Sequence, residues 1–413
     1  EFAYMRIFWH TESGEMIRFK ISPYSLNHFE DNESPLYRIG MKAEGTINFF
    51  NSVFLQLRGR FENKGHLDSF AKVRRWGDKL TSCFDYALLG YKYNDFRFTI
   101  GRIFRAWGPE DNDRLLLSTN SPPFNQFSAE YSGKWLAFQF WAAQLDQFRD
   151  PEGDKWNRFF SAHRLGVKPH KRLEIGISET VLYARENASW DLMYLNPLLP
   201  FYVEQYNNRI DDNIYMDIDF TWYPVDGLKL YGELLIDDFQ IDFVSESHQV
   251  GFNFGISELG LLLSEYLQLE IDYTQIRNSV YGQNKFYNVF SHEDVIIGSS
   301  LGTDSDRLRY RATYHTNPFL RISVGGEFRR KGEGRYDTAE YPAPKGLDFP
   351  SGIVEKEWDN YLRFDLLKGT IIEGAVTAGY KSIENLGNED GKSLDSPYLS
   401  VNIFYHFKHL FLL

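Results

Sequence analysis

The chain has 413 residues, 17% of them aromatic, and a formal net charge of −12 at pH 7. This acidic balance argues against nucleic acid as a partner, and a single cysteine, Cys83, excludes an internal disulfide framework. The mean hydropathy is −0.43, and no apolar run approaches the roughly 18 residues that a membrane-spanning helix needs. High aromatic content with a polar average is typical of a membrane β-barrel, whose strands alternate lipid-facing and lumen-facing residues.

Short and long connections alternate along the chain, and this alternation predicts how the strands are joined. Turn-sized connections fall near residues 48–51, 92–94, 132–134, 168–171, 224–227, 258–265, 316–319 and 367–370. Longer, charged connections fall near residues 23–35, 61–82, 105–125, 146–157, 185–211, 240–247, 277–305, 331–356 and 383–396. The pattern predicts an all-β fold, a transmembrane antiparallel up-and-down β-barrel of about 18 strands whose short turns face the periplasm.

The predicted barrel forms a single outer-membrane domain over residues 14–407. Its first strand is predicted near residues 14–21 and its last ends at Phe407. The N-terminal segment 1–13 and the C-terminal tail 408–413 lie outside the predicted strands and stay unassigned.

Within the predicted strands, apolar and polar residues alternate with a period of two. In segment 213–224, for example, Ile218 and Phe220 fall on one face, and Asp217 and Asp219 fall on the other. A soluble sandwich would also alternate, but its outward face would be polar, whereas here the apolar face is rich in aromatic residues. An interfacial aromatic girdle is predicted at the strand ends from Trp135, Trp141, Trp222, Tyr223, Tyr314 and Tyr405.

If the apolar face meets lipid, the opposite face lines the lumen and carries many charges. The predicted lumen-lining charges are Arg97, Asp217, Asp219, Glu233, Glu270, Asp272, Arg309, Arg311 and Arg329. A barrel of about 18 strands holds water unless something fills it. Charges in a filled lumen must be paired, because removing one partner of a buried pair destabilises by about 3–5 kcal/mol.

The segment RAWGPEDNDRLLLSTNSPPF, residues 105–124, interrupts two clean strand patterns with three prolines and a short apolar triplet. One interpretation is a loop that folds into the lumen and constricts or plugs it. Its residues would be Trp107, Gly108, Pro109, Arg114, Leu115, Leu116, Leu117, Asn120, Pro122, Pro123 and Phe124. The other interpretation is an ordinary external loop with a short edge strand over residues 115–118.

The segment from residue 101 to residue 124 resembles the Wzi family of capsule-assembly outer-membrane proteins. The matching residues are Gly101, Arg102, Trp107, Gly108, Pro109, Leu115–Ser118, Asn120, Pro122, Pro123 and Phe124. The chain departs from the family pattern at Glu110, where glycine is usual, and at Ser121, where alanine is usual. The resemblance implies an outer-membrane barrel that binds or organises capsular polysaccharide or exopolysaccharide at the cell surface, in a lectin-like and non-catalytic way.

Predictions about ligands follow from composition and from that resemblance. Aromatic and amide side chains in the 185–211 connection suggest glycan contacts at Trp190, Tyr202, Tyr206 and Asn208. The sequence shows no Gly-x-Ser-x-Gly elbow between a strand and a helix, and no Gly-rich phosphate loop that follows a strand and opens a helix, so we expect no enzyme, cofactor or metal. The expected partners are surface polysaccharide, outer-membrane lipid and lipopolysaccharide, with a monomeric barrel and room for periplasmic or surface protein partners.

An alternative function is a porin or a substrate-selective channel of the outer membrane. In that case the 105–125 connection forms the constriction, and the charged lumen faces set a transverse field. Conductance and surface polysaccharide distinguish the two functions.

Overall fold

A computed structural model describes residues 16–31, 33–49, 52–67, 75–76, 80–109, 113–150, 153–187, 189–210, 212–238, 249–283, 285–336, 348–368 and 371–412. The N-terminal segment 1–13, which stays unassigned in the sequence analysis, lies outside these ranges. No helix within the described ranges is both long and apolar enough to cross a membrane.

The described residues form one antiparallel sheet of eighteen long strands. The strands are β1 (Met16–Glu30), β2 (Leu36–Phe49), β3 (Val53–Glu62), β4 (Leu80–Tyr93), β5 (Phe96–Ile103), β6 (Phe124–Ser132), β7 (Leu136–Arg149), β8 (Lys155–His170), β9 (Leu173–Glu186), β10 (Asn213–Trp222), β11 (Leu228–Asp238), β12 (Gln249–Leu259), β13 (Leu267–Ile276), β14 (Ser305–Asn317), β15 (Leu320–Lys331), β16 (Glu355–Lys368), β17 (Ile372–Glu384) and β18 (Ser393–Tyr405, continued by Phe407–Leu412). Arg75–Trp76 pairs antiparallel with the start of β4, and Ser291–His292 pairs with Val295–Ile296 in a separate two-stranded sheet. One α-helix, α1 (Phe201–Asn208), lies between β9 and β10.

The sheet closes on itself, because β1 pairs with both β2 and β18. Tyr24 lies opposite Phe404, and Met16 lies opposite Leu412. Closure leaves no unpaired sheet edge, which is the condition for a sheet to span a membrane. The predicted barrel of about 18 strands is therefore confirmed.

Two strand limits differ from the prediction. The first strand, predicted to end near residue 21, continues through Pro23 to Glu30. Residues 408–412, predicted as part of a tail, belong with Phe407 to a strand that pairs with β1 after a break at His406. Both differences arise because pairing with neighbouring strands extends β-structure beyond the residues that alternate clearly. The predicted turn-sized connections join the strands at one end of the barrel, hereafter the turn end, and the described parts of the longer connections lie at the other end, the loop end. The predicted connection 240–247 lies outside the described residues.

Burial alternates along the strands as the sequence pattern predicts. On β10, Asp217 and Asp219 are buried on the lumen side, whereas Ile218 is 47% exposed on the outside. The aromatic residues Trp135, Trp222, Tyr223, Tyr314 and Tyr405 are all exposed near the turn end, as in an interfacial girdle. Trp141 was wrongly assigned to this girdle, since it is fully buried on the lumen side of β7.

Candidate functional site

The connection between β5 and β6, residues 104–123, packs against lumen-facing side chains in its described part; we call it the inner segment. Leu115, Leu116 and Leu117 are fully buried, and Trp107 is 1% exposed. The backbone N–H of Trp107 donates to the Leu117 carbonyl at 3.0 Å, which closes the segment into an antiparallel bridge. The apolar triplet therefore lies in a packed interior.

Glu233, on the lumen face of β11, anchors the inner segment. Its Oε1 atom accepts hydrogen bonds from the backbone N–H groups of Leu115 and Leu116, both at 3.0 Å. Gly108 has a φ of +113° and so little room that a Cβ atom would lie 2.9 Å from Glu233 Oε2. Glycine fits this position because it adopts positive φ without steric strain. Nearby, Lys229 Nζ donates to the Pro109 carbonyl at 3.2 Å.

The connection 277–304 packs on the other side of the inner segment. The Tyr281 hydroxyl donates to the Leu115 carbonyl at 2.6 Å, and Ser118 Oγ donates to the Gly298 carbonyl at 2.6 Å. Burial raises the pKa of Tyr281 well above its usual value, so its hydroxyl stays protonated and keeps donating at neutral pH. A Cβ atom on Gly298 would lie 2.2 Å from the Leu115 carbonyl oxygen. Here the absence of a side chain permits close backbone approach.

Charged groups of the inner segment are hydrogen-bonded to the wall, to the connection 277–304 or within the inner segment itself. Asp113 accepts hydrogen bonds from the Ser300 backbone at 2.8 Å and from Arg307 Nη1 at 3.2 Å. Arg105 Nη1 donates to Glu130 at 2.7 Å, and Arg114 Nε donates to the Gly108 carbonyl at 3.0 Å. Because these groups are buried, their pairing is what makes the packing tolerable.

An aromatic cluster joins the inner segment to the wall. The indole N–H of Trp107 donates to Gln139 at 2.7 Å, and its ring meets that of Trp141 edge-on at 6.2 Å. Trp141 in turn stacks on Phe160 at 4.9 Å and contacts Phe124 at 5.2 Å. Pro122, Pro123 and Phe124 are buried in the same region, although Phe124 is already the first residue of β6.

The predicted lumen charges lie on the inner wall and are mostly paired across neighbouring strands. The pairs are Arg97–Glu130 at 3.8 Å, Arg164–Asp219 at 2.9 Å, Arg309–Asp272 at 2.9 Å, Arg311–Glu270 at 2.5 Å and Arg329–Glu357 at 2.5 Å. Asp217 is fully buried beside Asp219 and Glu233. Towards the turn end the lumen keeps two polar cavities of about 290 and 420 Å³, both lined by Gln268, Arg311 and Tyr361.

A cleft of about 650 Å³ opens at the loop end, above the inner segment; we call it the outer cleft. Its lining combines one aromatic ring, Tyr336, with the side chains of Asn120, Asp294, Arg335 and Asn388. Asn120 also donates to the Ile296 carbonyl at 3.0 Å, which ties the inner segment to the cleft floor. Sequence reasoning missed this cleft because its residues come from four distant connections, and no local pattern marks them.

The four predicted glycan residues are not brought together. Trp190 packs against Phe127 and Phe159, with ring centroids at 6.0 and 4.8 Å. Tyr202 and Tyr206 are 46% and 78% exposed on α1, and Asn208 Nδ2 donates to the Glu204 carbonyl at 2.9 Å. These residues lie on a connection that covers the outside of the barrel, away from the outer cleft, so glycan contact there stays a prediction.

A closed barrel of eighteen strands with an exposed apolar outer face and a polar lumen defines an outer-membrane β-barrel. The family model described as capsule assembly protein Wzi matches residues 23–393. The chain therefore belongs to this family. Among curated proteins, no sequence matches the chain.

Solved structures with the same fold have little sequence identity to this chain. One is Wzi from Escherichia coli, an outer-membrane protein involved in group 1 capsule assembly and described as a carbohydrate-binding β-barrel. It is 14% identical, with a TM-score of 0.64 over 93% of this chain and 83% of that one. OpdK from Pseudomonas aeruginosa is 12% identical, with a TM-score of 0.56 over 95% and 99% of the two chains. OprD from the same organism is 9% identical, with a TM-score of 0.55 over 96% of each chain.

Proposed function

We propose that this barrel binds or organises capsular polysaccharide or exopolysaccharide at the surface of a Gram-negative cell, without catalysing a reaction. Membership of the capsule assembly family supports this function, as does the carbohydrate binding described for the Escherichia coli protein of the same fold. We further propose that the barrel works as a monomer and needs no cofactor.

The observation that carries the proposal is the outer cleft standing above a packed inner segment. Leu115–Leu117 are fully buried between Glu233 and Tyr281, which supports an inner segment that fills part of the lumen. The outer cleft, by contrast, presents polar groups at the loop end. This arrangement favours binding of a ligand at the loop end over passage of a solute through the lumen.

The chemistry of the outer cleft suits a sugar chain. Tyr336 is half-buried and offers an amphipathic ring of the kind that binding sites use as a contact surface. Arg335 and Asp294 are exposed at its side and supply charged hydrogen-bonding groups for hydroxyls and carboxylates. Ligand sites typically combine such a contact surface with a few placed polar groups.

Binding of the purified protein to the surface polysaccharide of its own source strain tests the proposal. We expect Tyr336→Ala to weaken binding about tenfold, which corresponds to about 1.4 kcal/mol. Tyr93→Ala is the matched control, because Tyr93 is 60% exposed at the turn end of the barrel, remote from the outer cleft, and the affinity of this variant should not change. Absence of polysaccharide binding, together with unchanged surface polysaccharide in a gene-deletion strain, would contradict the function.

A porin or substrate-selective channel is the second candidate. The two polar cavities at the turn end favour it, since paired arginine and carboxylate rows can steer ions. For this function the inner segment would have to act as a constriction that leaves a continuous path.

A further inference from the structure

The connection between β9 and β10, in its described residues 189–210, lies on the outside of the barrel; we call it the outer strap. Tyr194 and Phe201 of the outer strap are fully buried in a cluster with Phe159, Val181 and Ile214. These three wall residues alternate with lumen-facing neighbours on β8, β9 and β10, so their side chains point outward. The outer strap thus covers a part of the wall that would otherwise face lipid.

An ionisable pair lies beneath the outer strap on the outward face. His163 Nε2 on β8 is 2.9 Å from Glu179 Oε2 on β9. The Glu179 carboxylate also accepts the backbone N–H groups of Phe201 at 2.8 Å and Tyr202 at 2.7 Å, at the start of α1. The Phe201 ring stacks on the His163 ring, with centroids 4.4 Å apart. The two backbone N–H groups at the start of α1 are thus directed at the Glu179 carboxylate.

The pair lies at the depth of the membrane. Glu179 comes six residues after Leu173, which lies opposite Trp222 at the turn end. A strand rising about 3.3 Å per residue and tilted about 40° climbs roughly 2.5 Å per residue along the barrel axis. Glu179 is therefore about 15 Å above the girdle, inside an apolar band about 25 Å tall. A carboxylate facing lipid at this depth would be costly without the strap.

The outer strap replaces lipid on the wall and presents a new apolar surface of its own. Leu192 and Leu198 are 81% and 80% exposed, and Val203 and Tyr206 are 50% and 78% exposed. Below the strap the wall continues with exposed apolar residues such as Ile177 at 53%. The apolar belt of the barrel is therefore continuous with the outer face of the strap.

We propose that the outer strap is embedded in the outer leaflet, where Leu198 and Tyr206 contact lipid acyl chains. The observations that carry this inference are the depth of the Glu179 pair and the continuity of the apolar belt. The inference rests on the barrel spanning the membrane and is independent of polysaccharide binding. The outer strap then holds β8, β9 and β10 together from the lipid-facing side of the wall.

Spin-label accessibility in nanodiscs of dioleoylphosphatidylcholine tests the inference. In a Cys83→Ser background, the full chain carries a single label at Tyr206→Cys or, independently, at Leu198→Cys. Ile177→Cys reports a lipid-facing wall position, and Lys392→Cys reports a loop in water. Collision rates with oxygen, which partitions into lipid, are compared with those of a water-soluble nickel chelate.

We expect the oxygen-to-nickel ratio at both strap positions to match Ile177→Cys and to exceed Lys392→Cys several-fold. A ratio equal to that of Lys392→Cys would place the strap in water and overturn the inference. Low rates with both reagents, together with disulfide-linked dimers of the unlabelled Tyr206→Cys variant, would assign the surface to a second copy and would also overturn the inference. The two labelled strap positions are separate substitutions, so the failure of one to fold leaves the other to decide.

Discussion

The inner segment and the outer strap pack on opposite faces of the same strands. Phe140 of β7 is buried beneath the strap, whereas its neighbour Trp141 is buried against the inner segment. Phe159 and Phe160 of β8 divide in the same way. Adjacent residues of a strand point to opposite faces, so β7 and β8 are covered on both sides here. At these positions both faces carry apolar residues, instead of one apolar face and one polar face.

The two connections differ in how they are held. The inner segment is held by buried polar contacts such as those of Glu233 and Asp113, around an aromatic cluster. The outer strap is held by aromatic contacts, by the Glu179 carboxylate, which binds the start of α1, and by the Asp212 carboxylate, which accepts a hydrogen bond from the Tyr194 hydroxyl at 2.8 Å. We therefore expect changes to the inner segment to alter stability and lumen closure together. Changes to the strap should affect only its own attachment.

Replacing Trp107 should give the largest effect. Trp107→Ala removes a ring that is 1% exposed together with the donor to Gln139, so the free energy of unfolding should fall by about 3–5 kcal/mol. Urea-induced unfolding followed by circular dichroism measures this change. Trp135→Ala is the control, since Trp135 is 62% exposed at the turn end, and its effect should stay within about 0.5 kcal/mol. Equal losses in both variants would mean that the inner segment is not packed.

Removing the Glu233 carboxylate should release the inner segment from β11. Glu233→Ala leaves the buried N–H groups of Leu115 and Leu116 without their acceptor, which should destabilise by roughly 2–4 kcal/mol. Current across planar bilayers should rise in this variant. Glu270→Ala provides the control, because Glu270 pairs with Arg311 away from the segment. Unchanged current in Glu233→Ala would contradict the anchoring role.

Removing the Glu179 carboxylate should detach the outer strap from the wall without opening the lumen. Glu179→Ala removes the acceptor for Phe201 and Tyr202 and should loosen the strap by about 1–3 kcal/mol. Limited proteolysis should then cut within residues 189–210, while the planar-bilayer current stays at the wild-type level. Glu179→Gln keeps one acceptor oxygen and should be intermediate. A rise in current would show that the two connections are not independent.

The smallest effect concerns Tyr281. Tyr281→Phe leaves the buried Leu115 carbonyl without its donor at 2.6 Å, so we expect a loss of about 1–2 kcal/mol in unfolding free energy. Because burial keeps this hydroxyl protonated, the loss should be the same from pH 6 to pH 9. Tyr310→Phe serves as the control, since Tyr310 is 37% exposed. A difference between the variants that vanishes towards pH 9 would contradict a buried, protonated hydroxyl.

The sequence predicts the barrel well, because period-two alternation and turn spacing are local properties. Asp217 and Ile218, for example, were assigned to the correct faces by alternation alone. The same rule was wrong for Trp141, because it assumes that every large aromatic residue near a strand end faces lipid. Trp141 faces the lumen and packs in one cluster with the inner segment, and that packing depends on contacts between residues more than 150 positions apart, such as Leu115 and Tyr281.

The candidate site is less accessible to prediction than the fold. Asn120, Tyr336 and Asn388 all line the outer cleft, but only the folding of the whole barrel brings them close together. The cleft therefore cannot be predicted from the spacing of these residues along the chain. The strap residues Trp190 and Tyr206 have the composition of a glycan site, but they belong to an element whose packing on the outer wall cannot be read from composition.

The central claim is that the lumen is closed beneath a cleft that binds ligand at the cell surface. The electrical current through single reconstituted barrels tests this claim most directly. We predict that the wild-type protein in planar bilayers gives almost no steady conductance, and that deletion of residues 108–121 produces large, stable openings. A large steady conductance in the wild-type protein, unchanged by the deletion, would contradict the account and would identify a channel.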